Sequence, residues 1–158
     1  MKRFGLIKLR LNCFDKESFM AYKRKTWNEK MNFGLEHKVV KIDKDFADLK
    51  VGDNMLVPTP EIIAQYIKQI PFGVHTSLQQ MRKDLAAEFH ADVTCPITSG
   101  IFLRIVSEQA FEALLNGLDI EQITPFWRMI DHSTPVSRKL SFGTEFIQKQ
   151  RKLEGLTW

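Results

Sequence analysis

Thr59-Pro60-Glu61-Ile62-Ile63-Ala64-Gln65-Tyr66-Ile67-Lys68-Gln69-Ile70-Pro71-Phe72-Gly73 reads as a helix with both ends marked. Threonine accepts from a free amide at the start, and proline at the first helical position gives up only a donor with no partner there. Ile62, Ile63, Tyr66, Ile67 and Ile70 recur at helical spacing until Pro71-Phe72-Gly73 stops the run. Further on, Thr76 or Ser77 caps a second helix that carries Leu78, Met81, Leu85, Ala86 and Phe89. Thr94 or Cys95, followed by Pro96, opens a third, which runs through Ile101, Phe102, Ile105, Val106, Phe111, Leu114 and Leu115 to Gly117. Residues 123 to 130 are mostly apolar and read as a short strand whose pairing Pro125 limits. Residues 132 to 135 read as a polar turn. A last helix spans about Thr144 to Leu153, with Gly155 as its left-handed cap.

Toward the N-terminus, residues 3 to 11 alternate as a strand, with Ile7, Leu9 and Leu11 on one side and Lys8 and Arg10 on the other. Asp15 then caps a helix over residues 16 to 31, with Phe19, Met20, Tyr22, Trp27 and Met31 on its apolar faces. Asn32-Phe33-Gly34 ends it. A second strand over residues 37 to 42, an acidic turn over 43 to 48 and the turn-like Val51-Gly52-Asp53-Asn54 follow. The reading divides the chain into a small α/β extension, residues 1–52, and a helix-rich domain, residues 53–158. Helix, short loop, helix, loop, longer helix and strand-like element is the order of a winged helix-turn-helix unit, and other small bundles share its periodicity. The expected class is α+β, mostly helical.

Composition narrows the function. In 158 residues, 44% hydrophobic and 27% charged is a globular balance. No apolar run approaches the roughly 18 residues of a membrane span. The start, Met1-Lys2-Arg3-Phe4-Gly5-Leu6, is broken by Lys8 and Arg10 and has no apolar core of a signal peptide. Two cysteines, Cys13 and Cys95, make no disulfide framework, and His37, His75, His90 and His132 show no metal-ligand spacing. No cofactor, metal or membrane partner is expected, and the setting is read as cytoplasmic. The net charge of +4 is unevenly placed. Residues 1–50 hold thirteen Lys/Arg against seven Asp/Glu, and the remainder ten against twelve. Overall basicity therefore argues for nucleic acid only in the first third.

The motifs bring a family to mind. Residues 67 to 77, around Ile70-Pro71-Phe72-Gly73-Val74-His75-Thr76, resemble the opening of the DNA-binding domain of alkylguanine-DNA alkyltransferases and alkyltransferase-like proteins. Pro125-Phe126-Trp127-Arg128-Met129-Ile130 is similar to that family's active-site motif P-C-H-R-V-I, and Ser141-Phe142-Gly143 through Arg151-Lys152-Leu153-Glu154-Gly155 to its closing helix. The similarity covers residues 57–156. Met55 to Pro60 and Thr94 to Phe102 resemble a branch of this superfamily with a comparable N-terminal extension.

The resemblance implies a winged-helix, methylated-DNA-protein-cysteine methyltransferase type of domain that binds duplex DNA in repair. Its departures remove the chemistry. Alkyl transfer needs a thiolate, a histidine to draw off its proton and a glutamate to orient the histidine. The cysteine position is Phe126, the histidine position Trp127, and only Glu154 matches. The base-flipping tyrosine falls on Leu78 and the finger arginine on or near Ile97. Isoleucine can wedge between bases but cannot hydrogen-bond an orphaned one. The expectation is a non-catalytic DNA-binding protein that recognises alkylated or otherwise altered bases. The alternatives are an interaction module, with the extension as a protein-partner surface, and an enzyme using Cys95.

Each candidate carries a plain reading beside the functional one. Phe126 and Trp127, with Leu78, form either a stacking wall for a base or a filled core. Cys95 stands at a helix start, where the dipole favours a thiolate, or is a small cap before proline. Thr76, Ser77, Thr98 and Ser99 suit phosphates at two helix N-termini or serve as ordinary caps. Arg128 is expected to orient the adjacent loop through backbone. Ser141 and Lys139 join a basic track of Arg138, Lys149, Arg151 and Lys152, and Lys23-Arg24-Lys25 with Lys30 form a second; solvated helix faces have the same composition.

Overall fold

The structure, a computed structural model, describes residues 23–32 and 34–158. It is α+β and mostly helical, with one three-stranded sheet in the order β1-β2-β3. The strand expected over residues 3–11, the Asp15 cap and Cys13 lie outside the described residues. Of the helix expected over residues 16–31, residues 23–26 are described and are not helical, and α1 covers Trp27–Met31. Thr26 caps it: its side chain accepts from the Glu29 amide while the Glu29 carboxylate accepts from the Thr26 amide.

β1 (Lys38–Lys41) and β2 (Asn54–Val57) form an antiparallel hairpin with Val39 opposite Leu56 and Val40 opposite Met55. They lie on either side of the boundary drawn at residue 52 and pair across it. Asn54, expected in a turn, is instead the first residue of β2, a strand for which the sequence reading has no counterpart. Thr59 caps α2 (Pro60–Gln69) by accepting from the Ile62 amide, and Ser77 caps α3 (Leu78–Glu88) by accepting from the Gln80 amide. A two-residue strand, β3 (Val93–Thr94), adds parallel to β2 and leads straight into α4 (Pro96–Leu115). All three strands precede α4, and no strand follows it among the described residues.

Ile63 and Ile67 of α2, Met81 and Leu85 of α3, and Leu103 and Val106 of α4 meet in one core, all at or near zero exposure. α1 and α2 both pack on α4. The strand expected over residues 123–130 is instead a 3₁₀ helix, Phe126–Arg128. Periodicity cannot tell a strand from any other segment buried on every side, and Ile123, Phe126, Trp127, Met129 and Ile130 are all buried. A second 3₁₀ helix, Pro135–Lys139, lies along α4: Pro135 shares a cleft with Pro96, and Ser141 reaches Glu108. α5 (Glu145–Leu153) ends in the expected glycine cap. Gly155, at φ +72°, donates to the Lys152 carbonyl and Leu156 to that of Arg151, the paired bonds of a Schellman turn.

Candidate functional site

The end of α2, the Pro71–Ser77 turn, the first 3₁₀ helix and the C-terminus of α5 converge on one carboxylate, Glu154. Its Oε1 accepts from Trp127 Nε1 at 2.6 Å and from Arg128 Nη2 at 3.0 Å; its Oε2 accepts from Arg128 Nε at 2.9 Å and from the Gly73 amide at 2.9 Å. Arg128 also donates to the Ile70 carbonyl at 2.7 Å. Burial alone raises a carboxyl's pKa, but donation from Arg128, Gly73 and Trp127, with the Arg128 charge, leaves Glu154 below its ordinary value. Gly73 has φ +74°, and a Cβ there would stand 3.3 Å from the Glu154 carbonyl oxygen. Both features suit glycine.

Phe126 has no exposed surface and Trp127 only 3%. Their rings stand edge to face, with Phe142 and Phe146 completing an aromatic cluster around Phe126. Neither presents a free face. Beside them lies a cleft of about 630 Å³, lined by Lys68, Phe72, Pro125, Trp127 and Leu153 among others. Phe72 is 70% exposed in it.

Arg151 is the main correction to the basic track. It is 2% exposed, not solvated: Nε donates to the Thr157 carbonyl, and Nη1 to the carbonyls of Trp127 and Ile130. Burial lowers its pKa, against the opposing pull of Asp131 and Glu154. Lys149 and Lys152 of that track are exposed, as are Arg138 and Lys139. Lys23, Arg24 and Lys25 are exposed, while Lys30 sits over the Trp27 ring at 3.7 Å.

The hydroxyl candidates divide. Ser99 is wholly buried and donates to the Cys95 carbonyl, which removes it from any phosphate contact. Ser141 gives both its amide and its hydroxyl to Glu108, a carboxylate 2% exposed on α4. Ser77 is exposed, with its oxygen engaged in capping α3. The Thr76 amide donates to the Arg128 carbonyl, and Thr98 has a buried hydroxyl oxygen without a hydrogen-bond partner among the described residues. Cys95 is 8% exposed and makes no side-chain cap bond. Leu78 is half-buried against the core. Ile97, by contrast, is 51% exposed, and so is Ile101 one turn further along α4.

Sequence reading missed Glu108 and the partners of His75. Glu108 could have been suspected as a charge on the core-facing side of the α4 periodicity. His75 lies between Arg151 and Asp131, which no local pattern connects. Among the described residues, no group of three or more His, Cys, Asp or Glu could hold a metal, and no helix is long and apolar enough to cross a membrane. No family model matches the chain, and neither a curated protein nor a solved structure does.

Proposed function

We propose that the chain is a non-catalytic, alkyltransferase-like DNA-binding protein of the winged helix-turn-helix type, which uses α3 and α4 to recognise alkylated or otherwise altered bases in a cytoplasmic repair setting. The observation that carries the reading is the outer face of α4. Ile97 and Ile101 are both half exposed near its start, and Arg138 and Lys139 are exposed on the second 3₁₀ helix, which packs on α4. Isoleucines cannot read base edges by hydrogen bonds, but apolar side chains contact or wedge base steps while neighbouring cations take the phosphates. No alkyl acceptor exists at Phe126, so recognition is the whole activity. An everted base would stack on Phe72, the one exposed ring of the cleft beside Trp127.

The test is fluorescence anisotropy with a plain duplex and one holding O6-methylguanine. Binding at low salt is expected, tighter for the modified duplex. Reversing the charges of Arg138 and Lys139 should flatten the log–log salt slope by about 2, at about 0.9 per phosphate contact. Ile97→Asp should weaken binding at every salt concentration. Absence of binding to either duplex by the intact protein would refute the reading. The second reading, an interaction module that kept the fold and lost DNA, is favoured by the same apolar face and by the excess of acidic residues beyond residue 50. It would leave the anisotropy flat for both duplexes.

A further inference from the structure

We propose that the cleft beside α3 and β3 is a binding site for a small zwitterion, an α-amino acid with an apolar side chain. The cleft encloses about 460 Å³, within the range of small-ligand sites. One side is α3; the other is the turn at Asp48 together with the segment from Ala91 to Thr94. None of its lining residues belongs to the Glu154 cluster or to the isoleucine face of α4.

Ala86, Ala87, Ala91 and Val93 give the cleft its apolar surface, and their short side chains leave the space open. The chain makes this opening by turning back at the end of α3. The Ala91 amide donates to the Ala86 carbonyl at 2.8 Å and the His90 amide to that of Ala87, with His90 at φ 52° where a helix end usually has glycine. The other wall has the same feature. Ala47, at φ 53°, lies in the turn that Phe46 and Leu49 close, next to Asp48. Among the described residues, these are the two non-glycine positions with positive φ. Backbone held in that region gathers at ligand sites, and here both instances adjoin one cleft.

Two cations and two carboxylates line it, and each keeps bonding capacity. Arg82 is fixed in place: Nε donates to the Thr94 carbonyl at 2.9 Å and Nη2 to Asp48 at 3.2 Å, while Nη1 has no partner among the described residues. Lys83 is exposed and pairs with no carboxylate among the described residues. Asp92 takes the Asn54 amide and side-chain nitrogen on Oδ2 and leaves Oδ1 open. The Asp48 side chain is 63% exposed despite its pairing. These charges select the ligand. They sum to zero, so a lone anion drawn to Arg82 and Lys83 also meets Asp48 and Asp92, and a lone cation meets the reverse. A zwitterion satisfies both signs: its carboxylate takes the free donors of Arg82 and Lys83, its ammonium takes Asp92, and its side chain covers the alanines.

The site is independent of DNA binding. ¹⁵N-edited NMR on the full chain, titrated with L-leucine and L-phenylalanine at millimolar concentration, tests it. The Ala86, Ala87, Ala91, Asp92 and Val93 amides should shift together and saturate. N-acetyl-L-leucine, which lacks the ammonium, and L-leucinamide, which lacks the carboxylate, should each bind about fivefold more weakly, the worth of one partly exposed charge pair. Ala87→Leu fills the cleft and should abolish the shifts while the rest of the spectrum stays in place. Lys83→Gln, at an exposed position, should weaken L-leucine by a similar factor and leave L-leucinamide unchanged. No saturable shift of those amides with either amino acid would overturn the site. Analogues that bind as tightly as L-leucine, or an unaltered titration in a folded Ala87→Leu or Lys83→Gln, would do so too.

Discussion

Replacing Trp127 separates the two parts its side chain plays. The indole is 3% exposed and packs edge to face on Phe126 and Phe146, while Nε1 donates to Glu154 at 2.6 Å. Trp127→Ala removes both, and the cavity from deleting a buried aromatic costs about 3–5 kcal/mol. Trp127→Phe keeps most of the ring and removes only the donor. A hydrogen bond to a charged acceptor contributes about 1.5–3 kcal/mol. Arg128 and Gly73 still donate to Glu154, so the lower end applies, about 1.5 kcal/mol. A chain of this size melts about 2–4 °C lower per kcal/mol, which predicts a fall of roughly 10 °C for Trp127→Ala and about a third of that for Trp127→Phe. Urea unfolding followed by far-UV circular dichroism reads both free energies. If Trp127→Ala lies within about 1 kcal/mol of the parent, the ring is not core and the filled-pocket account fails. If Trp127→Phe does as much damage as Trp127→Ala, the hydrogen bond rather than packing dominates.

Acid should weaken the fold through Asp131 and Glu154, whose folded pKa values are both depressed. A depressed carboxylate stabilises above its unfolded pKa and loses that contribution as pH falls through its folded one. For Asp131 the window runs from 3.8 down to about 2, and urea midpoints across it should fall less steeply in Asp131→Asn than in the parent. Gly73→Ala should destabilise by about 2 kcal/mol, combining about 1–2 kcal/mol for an L-residue at positive φ with the close approach to the Glu154 carbonyl. Thermal melts check it, and a neutral result would mean the turn is free to relax.

What the sequence made legible was whatever is written locally. The starts of α2 and α3 follow from Thr59 and Ser77, each capping through its own oxygen, and Pro60 and Pro96 mark first turns that need no amide. The end of α5 follows from Gly155. β2 and β3 were missed because four and two residues carry too little alternation to outweigh the turn signals beside them. The run from Ile123 to Ile130 misled for the opposite reason. It is apolar throughout and buried throughout, so its pattern holds no period, and Pro125 was the one hint that it would not pair.

The site was legible in its residues and not in their partners. Phe126, Trp127, Arg128 and Glu154 are the residues that the sequence reading singles out, and the structure brings Trp127 and Arg128 onto Glu154 with Phe126 against Trp127. Arg151 sits two residues from the chemically similar Lys149 in a basic stretch, and nothing in that stretch says that one side chain turns inward to three carbonyls while the other stays in water. Such a choice depends on which carbonyls the 3₁₀ helix leaves without partners, and that is a property of the assembled fold. The same holds for Ser99 and Ser141. Their hydroxyls look available in sequence and are taken by Cys95 and Glu108.

Under the proposed alkyltransferase-like reading, Glu154 is the one member of the catalytic set whose residue type matches, and its partners bear on that reading. A carboxylate that orients a catalytic base needs an oxygen free to engage it, and Glu154 has none. Arg128 grips both its oxygens, Trp127 caps one and Gly73 the other. Arg128 carries the clamp onward to Ile70 at the end of α2, and Arg151 fastens the same 3₁₀ helix from the other side. These bonds tie the end of α2, the Pro71–Ser77 turn, the first 3₁₀ helix and the end of α5 to one another. On the proposed reading, recognition would come from the surface that this knot holds in place: the exposed Phe72 and Leu153 at the rim of the cleft, and the isoleucine face of α4.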